Sequence, residues 1–151
     1  MGPAHRGETA GGDRGRREPG AEIALAAAFD EARARGSELI AVYAWEDVLT
    51  ARWFGDPAGN YSWGTFAESA ERMLTREVAK FLDGYPDVVV HRVVVHDDPR
   101  QELPRWSVQA QLIVVGSRGR GGFRGLLLGS TGQSLIHHAA CPVLIARTGK
   151  S

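Results

Sequence analysis

The residue types able to do chemistry gather in one stretch of this chain, between positions 116 and 131. Gly116-Ser117-Arg118-Gly119-Arg120-Gly121-Gly122-Phe123-Arg124-Gly125 leads through three leucines to Gly129-Ser130-Thr131. Glycines let backbone N–H groups come close to a ligand with no Cβ in the way, and such a backbone suits an oxyanion. The charge pattern agrees. No Asp or Glu follows Glu102, whereas Arg105, Arg118, Arg120, Arg124, Arg147 and Lys150 do. A chain of zero formal net charge thus carries a cationic final third.

The familiar phosphate motifs do not account for this loop. A Walker A loop needs Gly-Lys-Ser/Thr, and the only lysines are Lys80 and Lys150. The dinucleotide fingerprint, counted from Gly119, requires glycine where Arg124 stands, and its later acidic residue is absent. Hydrolytic and metal chemistry have no better footing. Ser117 and Ser130 lack a general base at motif spacing. His137 and His138 are adjacent on a helix, and His91 and His96 fall on opposite faces of a strand, so no metal-ligand spacing arises. Asp97 and Asp98 are the carboxylates that could meet Mg²⁺ accompanying a nucleotide, although an N-cap role explains Asp98 at less cost.

Elements must hold the loop in place, and the sequence supplies them on both sides. Leu112-Ile113-Val114-Val115 and Pro142-Val143-Leu144-Ile145-Ala146 read as strands buried on both faces of a parallel sheet. Between them, Gln133 to His138 reads as a short helix with Leu135 and Ile136 as its apolar face and Ser130 as its N-cap. The free N–H groups of its first turn would face the loop.

Upstream, Ala21 to Arg35 reads as a helix with Ala24, Leu25, Ala28, Phe29 and Ala32 on one stripe and Gly36 at its left-handed terminus. Leu39 to Ala44 is a buried strand. Trp45 to Gly64 is a long loop rich in aromatics, expected to be a lid packed on its own domain. Thr65-Phe66-Ala67-Glu68 forms a capping box for a helix to about Leu82, with Phe66, Ala70, Met73, Leu74, Val78, Phe81 and Leu82 inward. Val88 to Val95 is a strand, and Asp98-Pro99 starts a helix that Pro104 should kink or shorten. Alternating helix and strand imply an α/β fold, an open, mostly parallel sheet with helices on both faces and ligands at the carboxyl ends of the strands.

The 151 residues suffice for one substantial core. The division expected is an irregular tail over 1–20 and one domain over 21–151, because Met1 to Gly20 is rich in Gly, Arg and Glu and poor in apolar residues. No apolar run approaches the roughly 20 residues a membrane span needs. A single cysteine, Cys141, excludes an internal disulfide, agrees with the cytoplasm, and is expected to pack beside the last strand.

Gly116, Gly119, Gly129 and Ser130 fit Gly-x2-Gly-x9-Gly-Ser/Thr. With the Leu-Ile-Val-Val strand before it and His-Ala-Ala-Cys-Pro-Val-Leu after it, the chain resembles the ATP-binding universal stress proteins over roughly Pro19 to Arg147. The resemblance implies a Rossmann-like fold and ATP as ligand, with or without Mg²⁺. It implies that Gly116, Arg118 and Gly119 wrap ribose and phosphates, that Gly129, Ser130 and Thr131 bind phosphate oxygens, that Ala44 lies by the adenine, and that Val115 belongs to the same binding site. It also implies a homodimer through the 142–146 strand, with no nucleic acid or membrane partner. The chain departs from the family at its start. The family opens with a Val/Ile-rich strand ending in Asp-Gly-Ser, placed mid-sheet, where this chain has Gly11-Gly12-Asp13-Arg14-Gly15-Arg16-Arg17-Glu18-Pro19-Gly20. The function expected is a stress-response binding module without robust catalysis. The alternatives are a slow ATP hydrolase, or an interaction protein that kept the fold and lost the ligand.

Overall fold

The computed structural model describes residues 19–45, 63–117 and 128–147, and the side chains of 20–44, 67–117 and 128–147. In chain order the elements are α1 (Pro19–Arg35), β1 (Leu39–Trp45), α2 (Trp63–Leu82), β2 (Val90–His96), α3 (Pro99–Ser107), β3 (Ile113–Gly116), α4 (Ser130–His138) and β4 (Val143–Ala146). β1 pairs in parallel with β2, Leu39 opposite Val90. β3 pairs in parallel with β4, Ile113 opposite Val143. Among the described residues these are two separate two-stranded sheets.

Strand alternation divides the core into two sides. Leu39, Ala41 and Tyr43 of β1 join Leu112 and Val114 in packing on α1 and α2, through Ala24, Leu25, Ala28, Phe29, Ala32, Leu74 and Val78. Ile40 and Val42 join Ile113 and Val115 on the other side, against Leu103 of α3 and Leu135 of α4. Helices therefore cover both faces, as an all-apolar parallel strand requires. Each large aliphatic or aromatic side chain fully withdrawn from water contributes about 1.5–3 kcal/mol. The α1 stripe is buried as its spacing implies, and Gly36, at φ 59°, turns the chain out of the helix.

Several boundaries differ from the sequence reading. α1 begins at Pro19, so the last two residues assigned to the tail are helical, while 1–18 lie outside the described residues. α2 begins at Trp63, which puts Thr65 inside the first turn rather than at the cap. Leu82 and Ile136, expected on inward faces, are 40% and 60% exposed. The aromatic loop after Trp45 lies, up to residue 62, outside the described residues.

α3 is not interrupted at Pro104 but runs to Ser107. Proline has no N–H to give the carbonyl four residues back, that of Arg100. Ser134 of α4 donates to that carbonyl instead, at 2.6 Å. A second hydroxyl ties the same helices together: buried Ser107 donates to the Pro104 carbonyl and accepts from the Ala140 N–H at 2.8 Å. The lost backbone donor is thus replaced from a neighbouring helix, which holds α4 against α3.

Candidate functional site

Which ends of the strands lie together follows from α1. Gly20 sits against the end of β3, its carbonyl oxygen 2.9 Å from where a Cβ on Gly116 would stand, so only glycine allows this approach. From there α1 runs 17 residues, about 25 Å, before the chain turns at Gly36 into β1. β1 therefore starts at the far end and runs in the same direction as β3, and β2 and β4 run with them. The carboxyl ends of all four strands lie on one edge, with the N-terminus of α1 beside Gly116.

α4 starts on that edge. The Gly129 N–H donates to the Ser117 carbonyl at 2.9 Å, and the Ser117 N–H donates to the Ala146 carbonyl at 2.9 Å. The chain leaving β3, the start of α4 and the end of β4 are thereby locked together. The sequence reading made Ser130 the N-cap; the structure puts Gly129 there, extended at φ −73° and ψ 170°, with Ser130 as the first helical residue. The Gly129 carbonyl takes the Gln133 N–H at 3.0 Å, no side chain among the described residues caps the helix, and its first turn has no acidic residue. First-turn amides have no acceptor inside a helix. Among the described residues no acceptor takes those of Ser130 and Thr131, which stand at the positive end of the dipole.

The structure thus brings Val115, Gly116, Gly129, Ser130 and Thr131 together, and sets Ala44 at the end of β1 on the same edge. Arg118 and Gly119 lie outside the described residues. Sequence reasoning passed over Gly20 and Ser117, the first because it was assigned to the tail and the second because only its backbone acts.

Two of the described carboxylates at this edge, Asp97 and Asp98, are occupied. Asp98 caps α3, accepting from the Arg100 N–H at 2.9 Å, and pairs with the Arg100 guanidinium at 2.7 Å. Asp97 accepts from the Asp98 N–H and from Arg105, both at 2.7 Å. These two hydrogen bonds, the backbone one first, hold the Asp97 carboxyl below its ordinary range. A depression of about 430 Å³ lies between α3 and α4, lined by Asp98, Arg100, Gln101, Pro104, Ser134 and His138. Cys141 packs beside β4 on the α3/α4 side, and burial pushes its thiol up, as expected of an inert cysteine. Among the described residues no cluster of His, Cys, Asp or Glu could hold a metal ion.

An α/β protein with parallel strands and helices on both faces belongs to the Rossmann-like class of folds. The universal stress protein family model matches residues 17–147, and the chain belongs to that family. It is 44% identical over 126 residues to universal stress protein Rv2623 of Mycobacterium tuberculosis, covering 83% of this chain and 41% of that protein. It is 46% identical over 129 residues to Rv2005c of the same organism, covering 85% and 42%. The chain therefore spans about two-fifths of the length of these relatives. Among solved structures, hypothetical protein MJ0577 superposes with a TM-score of 0.70 at 21% identity, covering 97% of this chain and 98% of that one. A universal stress protein in complex with cAMP gives 0.59 at 20% identity, covering 97% and 99%. The Archaeoglobus fulgidus protein in complex with dAMP gives 0.58 at 18% identity, covering 97% and 99%. At these identities the structures establish the fold.

Proposed function

We propose that this domain binds ATP through the glycine loop and the start of α4, and acts as a stress-response binding module in the cytoplasm. The observation that carries the reading is the uncapped, acid-free first turn of α4, fastened to the end of β3 by the Gly129 to Ser117 hydrogen bond. The amides of Ser130 and Thr131 would take phosphate oxygens, with the side chains of Ser130 and Thr131 beside them. Gly116, Arg118 and Gly119 would enclose ribose and phosphate, and Ala44 and Val115 would lie by the nucleoside. Two solved relatives are named as complexes with adenine nucleotides, which favours adenine as the base.

A binding role is favoured over hydrolysis because Asp97 and Asp98 are committed to Arg105, Arg100 and the cap of α3. Any Mg²⁺ would arrive with the nucleotide. The single cysteine supports the cytoplasmic assignment. No described helix is long and apolar enough to cross a membrane.

Gly129 is the position for the test, because its φ and ψ suit any residue and a side chain there would stand in the phosphate path. Gly129→Val should leave the fold intact and abolish ATP binding in calorimetry; unchanged affinity would place the ligand elsewhere.

The same reading includes a homodimer through β4. Val143, Leu144 and Ile145 are each half-buried, and β4 has a sheet partner on one side only among the described residues. The register fixes which amides are outward. Ile113 donates to the Pro142 carbonyl, so Leu144 points its N–H toward β3, and Val143 and Ile145 point theirs away. Proline at Leu144 would therefore break the internal ladder, and Ile145→Pro is the substitution that should weaken association in sedimentation.

A further inference from the structure

With Gly129 as the cap of α4, Leu128 is the residue before it, and Ser130, Thr131, Gly132 and Gln133 are the first four helical positions. An apolar residue before a cap commonly packs on the fourth helical residue and so fixes the angle at which the chain enters the helix. Here that fourth residue is Gln133, polar and exposed. Leu128 packs one position earlier, on Gly132. A Cβ placed on Gly132 would stand 2.5 Å from Leu128 Cδ1 and 3.0 Å from its Cγ, so the leucine fills the space that any side chain at 132 would need. Leu128 is half-buried and Gly132 is buried. Glycine is a poorer helix former than alanine, and what it provides at this position is the seat for Leu128.

We propose that Leu128 seated on Gly132 is the positioning contact of the ATP site, holding the Ser130 and Thr131 amides in the direction that receives phosphate. This rests on the reading that ATP is held at the start of α4. Two points fix the entering chain. The Gly129 N–H on the Ser117 carbonyl, at 2.9 Å, sets where the helix begins. A single hydrogen bond tolerates a range of angles, and the apolar contact made by the neighbouring residue narrows that range. Hydrogen bonds from the first turn to phosphate weaken as N–H···O departs from linearity, so the tilt of the turn is read as affinity. Neither Leu128 nor Gly132 needs to touch the nucleotide to act in this way.

The test compares the unsubstituted full chain with Gly132→Ala, Leu128→Ala and the double variant, by ATP calorimetry, urea unfolding and N–H residual dipolar couplings measured without nucleotide. Gly132→Ala forces the leucine from its seat and Leu128→Ala removes it, so each should weaken ATP binding by at least about fivefold. The double variant should bind within about twofold of the weaker single variant, because both changes break one contact. Without nucleotide, each single variant should change the couplings of Ser130 and Thr131 and leave those of Gln101 on α3 unmoved. Alanine is the better helix former, so Gly132→Ala should lower the urea midpoint less than Leu128→Ala does, which separates a changed tilt from lost structure. ATP affinity within about twofold of the unsubstituted chain in Gly132→Ala, losses that multiply in the double variant, or unchanged couplings at Ser130 and Thr131 would each overturn the proposal. Full affinity in Gly132→Ala beside lost binding in Gly129→Val would be a failure of this proposal alone. No ATP binding by the unsubstituted chain would overturn the ATP reading and this proposal together.

Discussion

Where β2 gives way to α3 and where β3 gives way to α4, the chain solves the same problem in opposite ways. At α3, Asp98 accepts the Arg100 N–H, and Arg100 and Arg105 neutralise Asp98 and Asp97. That helix start is finished internally. At α4 the cap is glycine, no described side chain caps the helix, and its first turn has no acidic residue. Both starts lie on the same edge of the molecule. The difference teaches where an anion could be accommodated: at amides the helix start leaves unspent, and not where the protein has supplied its own carboxylate.

The largest break in this comparison should come from making α4 resemble α3. Ser130→Asp would put a carboxylate at the first turn, stabilise the isolated helix by about 0.3–1 kcal/mol, and repel phosphate. Loss of the charge-assisted hydrogen bonds, about 1.5–3 kcal/mol each, amounts to a fall in ATP affinity of at least about tenfold. Calorimetry measures it, and retained affinity would remove α4 from the site. The converse change is smaller and falls on stability. Asp98→Ala should cost about 1 kcal/mol in denaturant unfolding, the usual value of a lost N-cap, and leave nucleotide affinity unaltered.

The smallest effect concerns Asp97. Its carboxyl is held low in the fold by the Asp98 N–H and then by Arg105, so its contribution is present above the unfolded carboxylate pKa of about 3.9 and is lost as pH falls through the folded value. Asp97→Asn should therefore be less stable than the unsubstituted chain at neutral pH, and the gap should close in acid. A gap that widens in acid would mean the sign is wrong.

The same pair of helices shows what the sequence could and could not disclose. Asp98-Pro99 was legible because cap and helix start are local and depend on neighbouring residues. The α1 stripe and Gly36 were legible for the same reason. The start of α4 was misplaced because capping preference rewards a side-chain oxygen at Ser130, whereas a helix start left open takes glycine. Pro104 misled because its effect depends on Ser134, 30 residues away in sequence, reaching the Arg100 carbonyl. Ile136 continues the apolar spacing of Leu135, but whether such a position is covered depends on tertiary neighbours that periodicity does not contain.

The central claim is that the open start of α4, and not the closed start of α3, receives the phosphates. The most direct measurement is a titration of the labelled protein with ATP, following the backbone amide resonances of Ser130 and Thr131 beside those of Arg100 and Gln101. Saturable shifts at Ser130 and Thr131, with Arg100 and Gln101 unmoved, are the result this account requires. Shifts centred on Arg100 and Gln101, or none at Ser130 and Thr131 at saturating ATP, would contradict it.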